Sequence, residues 1–460
     1  MAIHFRNTSL WLGPLLALLI YVLLVGSEAN EGAALTAAVT LLCVIWWVFE
    51  PIPIPATSII PLAVFQLSGL LTAQQVAQAY GNPLILLLMG GFFLSKAMER
   101  SGAHRRIALY MIRLCGGGSS RQLVFGFCIT AAALSMWISN TATTLMLLPV
   151  ALAILGTAED DRVAAPLLLG IAYSASVGGI GTPIGTPPNL IFMQVYNENG
   201  GGTITFVEWM RWGVPVVVLF VPLIAWWLSR HLTYGGGFHL PETGSWRAEE
   251  KRVLMVFALT ALAWITRQEP FGGWSQWLGL NTANDASVAL LAVVALFVLP
   301  NGHGRRLLDW DVAPEIPWGV LILFGGGICL ATAFVQSGLS AAIGNALTAV
   351  AALPVVLMIF LLAMGVTFLT ETTSNTASTV LLMPILAAAA LATHQDMRWM
   401  MVPAAMSASC AFMLPVATAP NSIIYGSGRV TTQRMAREGV ALNLFGALVI
   451  TAVTYVTLVL

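Results

Sequence analysis

Apolar stretches long enough to cross a bilayer recur along almost the whole chain, separated by short polar punctuation. A crossing helix needs roughly 17 to 25 apolar residues. Hydropathy and helix breakers predict membrane segments at 10–26, 34–49, 54–71, 83–99, 121–156, 163–196, 213–229, 253–266, 286–299, 316–336, 353–393, 399–427 and 439–460. Two of these, 121–156 and 353–393, are too long for one helix, and each is interrupted halfway by Ser-Asn-Thr. Read as hairpins that enter and leave on one side, they leave eleven crossings for the other segments. The expected fold class is an all-α polytopic membrane protein with about 11 transmembrane helices plus two re-entrant hairpins.

The distribution of basic residues fits this drawing. With the N-terminus in the cytoplasm and the C-terminus outside, 17 of the 20 Lys and Arg residues fall on the cytoplasmic side, leaving Arg211, Arg267 and Arg398 outside. Segments 103–115 and 338–352 are short and apolar or amphipathic, which suits helices lying along the interface; a plain loop is the alternative. The longest polar stretch, Ser229 to Arg252, contains Tyr234-Gly-Gly-Gly237 and reads as a cytoplasmic linker between halves. The run from Leu10 to Val25 follows Arg6 in the manner of a signal peptide, but further spans follow it without a small-residue cleavage site, so it is expected to stay as the first helix.

Composition sharpens the class. The 460 residues are 58% hydrophobic and 9% charged, with a mean hydropathy of +0.85, against roughly 25% charged residues in ordinary soluble domains. Formal net charge is zero and no basic stripe is present, so nucleic acid is not an expected partner, whereas membrane lipid is. The five cysteines are scattered through apolar stretches without metal-type spacing and read as inert core residues. The six histidines fall in terminal or loop positions, and no HExxH, nucleophile elbow, P-loop or paired carboxylate occurs, so there is no apparatus for enzymatic chemistry.

Self-comparison reveals a repeat. Gly90-Gly91 through Ser101-Gly102 aligns with Gly326-Gly327 through Ser337-Gly338 at an offset of 236, and Ser139-Asn140-Thr141-Ala142-Thr143-Thr144 aligns with Ser374-Asn375-Thr376-Ala377-Ser378-Thr379 at 235. Gly185-Thr186-Pro187-Pro188-Asn189 aligns with Ala417-Thr418-Ala419-Pro420-Asn421 at 232. In the drawn topology the first hairpin opens from the cytoplasm and the second from outside, so the copies run inverted. Inverted repeats place ligand sites near the midplane, in broken helices.

The repeated residues carry a chemistry. Ser, Asn and Thr are favoured helix N-caps, and a helix N-terminus presents unpaired N–H groups and about half a positive charge to an anion. Two such tips facing one another suit a ligand bearing carboxylates. Proline within Thr-x-Pro-Asn breaks a helix and frees a carbonyl, and broken backbone in a membrane has to be buried or line a wet cavity. Freed carbonyls with Ser, Thr and Asn oxygens are hard ligands for sodium, which would offset a dianion where neither motif holds Lys or Arg. Glu371 is the one acid well inside a hairpin arm, and its repeat equivalent is Met136. An intramembrane acid is a functional candidate, with a protonated or water-facing carboxyl as the equal alternative.

At these motifs the sequence resembles the divalent anion/sodium symporter family, over nearly the whole chain, with the doubled Ser-Asn-Thr as its specific mark. The resemblance implies a homodimer, a scaffold domain and an elevator-like transport domain, placed in the cell's inner membrane. It assigns residues 1–120 and 253–352 to the scaffold, residues 121–228 and 353–460 to the transport domain, and residues 229–252 to the linker. It implies one sodium site at Ser135, Ser139, Asn140 and Gly185 and a second at Thr370, Ser374, Asn375 and Ala417. Substrate is expected at Ser139, Asn140, Thr141, Thr186, Pro187, Ser374, Asn375, Thr376, Ser378, Thr418 and Ala419. The implied function is sodium-coupled symport of a small dianion such as a C4-dicarboxylate. A sodium-independent dicarboxylate exchanger, a sulfate or citrate carrier and, from another class, a passive anion channel are the alternatives.

Overall fold

The structure is a computed structural model that describes residues 2–26, 30–115, 119–156, 161–232, 244–269, 271–339, 342 and 353–460. Among these residues it is all-helical. Eight helices are long and apolar enough to cross a bilayer, judged by length and composition, and four shorter apolar helices accompany them. The protein is therefore a multi-pass membrane protein.

Most predicted segments appear as helices displaced by a few residues, and their starts follow capping chemistry. Asn30 accepts from the Gly32 amide to open Glu31–Phe49, Asn82 from Leu84 to open Pro83–Ser101, and Thr205 forms a capping box with Glu208 to open Phe206–Ser229. Segment 54–71 divides into Ile54–Thr57 and Ile60–Leu67, each with proline in its first turn. Helix Ala73–Tyr80 is absent from the hydropathy reading because it is short and interrupted by three glutamines; a capping box of Thr72 with Gln75 starts it. Segment 103–115 is helix Ala103–Cys115. Segment 338–352 lies outside the described residues except for 338, 339 and 342, as do residues 233–243 of the linker.

Both long segments are hairpins. The first has arms Ser120–Ser135 and Asn140–Leu155, the second Val355–Thr370 and Asn375–Ala392. Ser139 and Ser374 end each turn by accepting from the amides of Ala142 at 3.2 Å and Ala377 at 3.5 Å. The two Thr-x-Pro-Asn segments are broken helices. Ala164–Gly178 passes through a short 3-10 turn at Gly179–Gly181 before helix resumes at Pro187–Glu198. Met397–Ser407 likewise stops before a restart at Ala419–Gly426.

Every residue of Ala164–Gly178 is buried, between Ser120–Ser135 and Phe206–Ser229. Lipid supplies little hydrophobic drive between helices, so close packing of small residues has to hold them. On this helix Gly178 makes a closer approach than Gly170: a Cβ there would lie 2.4 Å from the Ala132 carbonyl oxygen. Tyr173 on this helix donates to the Phe412 carbonyl at 2.7 Å, tying the first broken helix to the second.

Candidate functional site

The two Ser-Asn-Thr tips meet. A cavity of 520 Å³ is lined by Asn140 and Thr141 from the first tip, Ser374, Asn375 and Thr376 from the second, and Thr186, Pro187, Ala417, Thr418 and Ala419 from the two helix breaks. A second cavity, of 410 Å³, shares Asn140, Thr141, Thr186 and Pro187, adds Ser139 and Gly185, and extends to Lys96, Glu99 and Glu315. There Lys96 Nζ sits 2.8 Å from Glu99 and 3.4 Å from Glu315. Of the residues named from the sequence as substrate contacts, Ser378 lines neither cavity; its buried hydroxyl pairs with Thr373 at 2.5 Å.

The repeat extends to individual bonds. Ser135 donates to Asn140 Oδ1 at 2.6 Å, and Thr370 to Asn375 Oδ1 at 2.5 Å. Thr144 donates to the Asn140 carbonyl at 2.8 Å, and Thr379 to the Asn375 carbonyl at 2.7 Å. These four contacts obey the same offset of 235 residues. At the first tip, Asn140 Oδ1 and the Gly185 carbonyl converge on Gly179, lying 2.8 and 3.0 Å from where its Cβ would stand. Ser135, Asn140 and Gly185 therefore gather at one place. At the second tip Thr370 also bonds the Ala408 carbonyl at 3.1 Å, while Ala417 lies on the cavity wall. Among the described residues no group of three or more His, Cys, Asp or Glu assembles to hold a metal ion. The oxygens offered at the tips are amide, hydroxyl and carbonyl, the neutral hard set that suits an alkali cation.

Three further residues shape the breaks. Asn189 Nδ2 donates to the carbonyls of Gly179 at 2.9 Å and Thr182 at 2.7 Å, and Asn421 Nδ2 to those of Ala411 and Leu414, both at 3.0 Å. All four carbonyls belong to the stretches where the α-helix is interrupted, so each asparagine binds its own break shut. Both stand in the repeat motif, which is the available signal, yet their inward direction is not readable from it. Glu371 is the third. It is 3% exposed and accepts from the amides of Phe412 at 2.7 Å, Met413 at 2.9 Å and Leu414 at 3.1 Å, and from Asn443 Nδ2 at 2.8 Å. The carboxyl therefore does not face water; it caps the free amides of the second break. In the first repeat Met136 stands there instead, and its carbonyl accepts from the Thr182 hydroxyl.

With this geometry established, three comparisons bear on the class. The family model described as "Citrate transporter" (CitMHS) matches residues 44–405. The sodium-dependent dicarboxylate transporter SdcS of Staphylococcus aureus, from strain bovine RF122 / ET3-1 and equally from strain NCTC 8325 / PS 47, is 38% identical over 470 residues, covering 96% of this chain and 89% of the relative. Among solved structures, the YdaH transporter of Alcanivorax borkumensis matches with a TM-score of 0.60 at 14% identity, over 86% of this chain and 88% of that one, which shows a shared fold. Fold and family together define an all-helical membrane transporter, not an enzyme. The chain belongs to the citrate transporter family, and the resemblance to divalent anion/sodium symporters drawn from the doubled Ser-Asn-Thr is borne out.

Proposed function

We propose that this protein is a secondary active transporter that moves a C4-dicarboxylate such as succinate together with sodium ions. The observation that carries the reading is the single 520 Å³ cavity lined by both hairpin tips and both helix breaks. Asn140, Thr141, Asn375 and Thr376 would bind the two carboxylates, with Thr186, Pro187, Thr418 and Ala419 as walls. Ser139 and Ser374 shape the tips by capping them. No Lys or Arg lines this cavity, so the positive charge that stabilises a dianion comes from helix N-termini and bound cations. Ser135, Ser139, Asn140 and Gly185 would supply the first sodium site, and Thr370, Ser374, Asn375 and Ala417 the second. The sodium-dependent dicarboxylate transporter among the relatives supports both substrate class and cation.

Alternating access would follow an elevator path in a homodimer, the hairpins and broken helices of residues 121–228 and 353–460 moving against a scaffold formed by residues 1–120 and 253–352. The protein would sit in the inner membrane, and a cytoplasmic N-terminus is supported by the 17 basic residues that this orientation puts on the cytoplasmic side. The test is uptake of labelled succinate into proteoliposomes with and without an inward sodium gradient. Saturable uptake that collapses without sodium supports the reading, and uptake indifferent to sodium removes the coupling. Competition by unlabelled citrate and sulfate ranks the anions.

A further inference from the structure

A third cavity, of 340 Å³, shares no lining residue with the two at the hairpin tips. Its size falls within the range of small-ligand pockets, about 300 to 1,000 Å³. Arg267 and Asp285 are the only charged residues on its lining. Both are buried, at 9% and 8% exposure, and Arg267 Nε donates to Asp285 Oδ1 at 2.6 Å. The pair is neutral, so the wall carries no net charge.

The rest of the guanidinium is only partly used. Nη1 donates to the Ala283 carbonyl at 3.1 Å, whereas Nη2 makes no hydrogen bond to a described residue and is not sealed inside the protein. A guanidinium fixed along one edge by an acid offers its remaining N–H groups in a rigid plane, which suits a carboxylate. The neighbouring amides add donors. Asn82 and Asn284 cap helices Pro83–Ser101 and Asp285–Val298, each spending its Oδ1 on the cap by accepting from the Leu84 and Ser287 amides at 2.9 Å. Their NH₂ groups remain to donate. Both helix N-termini thus open on the one cavity, and their dipoles favour an anion there.

We propose that this cavity is a second binding site, for a small carboxylate, and that its occupant slows transport. Arg267, Asn82 and Asn284 stand in the part assigned to the scaffold, and Asn197, on the opposite wall, in the part assigned to movement. A carboxylate held among them ties the two together. The site stands on the donors named here; the slowing rests on the elevator reading above.

The site is tested by binding of labelled succinate, in sodium-free buffer, to detergent-purified protein whose tips are disabled by Asn140→Ala and Asn375→Ala. Binding is expected to persist. Asn197 and Asn281 are exposed lining residues, so Asn197→Asp or Asn281→Asp adds a negative charge without breaking a contact of the fold. Repulsion between unit charges roughly 7 Å apart weakens binding about threefold in bulk water and more beside protein. Asn281→Lys should tighten binding by a similar factor. Arg267→Lys keeps the charge opposite Asp285 but removes the planar donor edge, and should lose binding; if it fails to fold, the Asn197 and Asn281 variants decide. Absence of binding in the tip-disabled protein, or binding indifferent to the added charges, overturns the site.

The slowing is tested in proteoliposomes, as initial uptake rate against external succinate at saturating sodium. The wild-type rate should decline at high succinate, with the decline moved to about threefold lower concentration by Asn281→Lys and about threefold higher by Asn281→Asp. Rates that saturate without declining in all three proteins overturn the slowing. A wild type that takes up no succinate removes the transporter reading and the slowing with it, whereas the binding series still decides the site.

Discussion

Glu371 and Asn443 stand 72 positions apart in the chain and meet at 2.8 Å, the amide of one held by the carboxylate of the other. Three backbone amides of the second helix break converge on the same carboxylate. Hydrogen bonds to a charged acceptor contribute about 1.5 to 3 kcal/mol each, so this contact set is a principal fixture of the second half. Glu371→Gln leaves one carbonyl oxygen and turns an NH₂ group toward amides that are themselves donors. It should lower the unfolding temperature of detergent-purified protein by several degrees and abolish uptake. Wild-type melting and transport in that variant would show that the break holds its shape without the carboxylate.

The two asparagine clamps make a matched pair of tests. Asn189→Ala and Asn421→Ala each orphan two carbonyls inside the protein, and an unsatisfied buried acceptor costs about 1 to 3 kcal/mol. Each variant is expected to express at reduced level and to transport at under a tenth of the wild-type rate, which quantitative uptake per folded molecule would measure. Equal loss from both supports equivalent roles in the two repeats.

At the tips the effect should fall on function rather than folding. Asn140→Ala and Asn375→Ala remove groups that line the cavity and are half-buried. Both are predicted to abolish succinate uptake while eluting as folded protein on size-exclusion chromatography. Sodium titration of any residual uptake should shift to higher concentrations.

Gly178 and Gly365 separate packing from propensity. A Cβ at Gly178 meets the Ala132 backbone at 2.4 to 2.9 Å, whereas one at Gly365 meets nothing within 4 Å. Gly178→Ala should therefore prevent stable folding. Gly365→Ala should be neutral or stabilise by up to about 1 kcal/mol, the helix-propensity difference. Thermal unfolding of the two variants reads the contrast directly.

A pH effect is expected at Glu250, which precedes the span predicted from residue 253. Burial pushes its carboxyl up, but the Arg247 amide at 2.7 Å and the Arg106 guanidinium at 2.9 Å outweigh burial and hold it below its usual value of 4.5. A depressed carboxylate stabilises the fold at pH above its unfolded value, and that contribution is lost as pH falls through the folded value. Glu250→Gln should thus melt below wild type at pH 7, and the gap should close in the acid range below 4.5. A gap that stays constant across that range would exclude the ionised form as the cause.

Much of the site is written in local signals. Ser139 and Ser374 announce helix starts by residue type alone, and their duplication alongside Thr186-Pro187 and Thr418-Ala419 marks the cavity in the sequence itself. What escapes such reading depends on distance along the chain. Glu371 is satisfied by groups 41 to 72 residues away, and nothing local tells an asparagine clamp from an asparagine ligand. Ser378 shows the same limit from the other side: one turn past the tip it rotates off the cavity to pair with Thr373. Ala73–Tyr80 stays hidden because it is short, three glutamines interrupt its apolar residues, and its start depends on one capping box.

The bonds from Ser135 to Asn140 and from Thr370 to Asn375 occupy the very oxygens that a cation would seek. An ion seated against either asparagine has to share that oxygen with a hydroxyl proton or displace it. Where the bond is displaced, a typical net hydrogen bond of about 1 kcal/mol weakens such binding by about fivefold. Loose grip of that kind is an asset in a carrier, whose turnover depends on letting go as much as on capture.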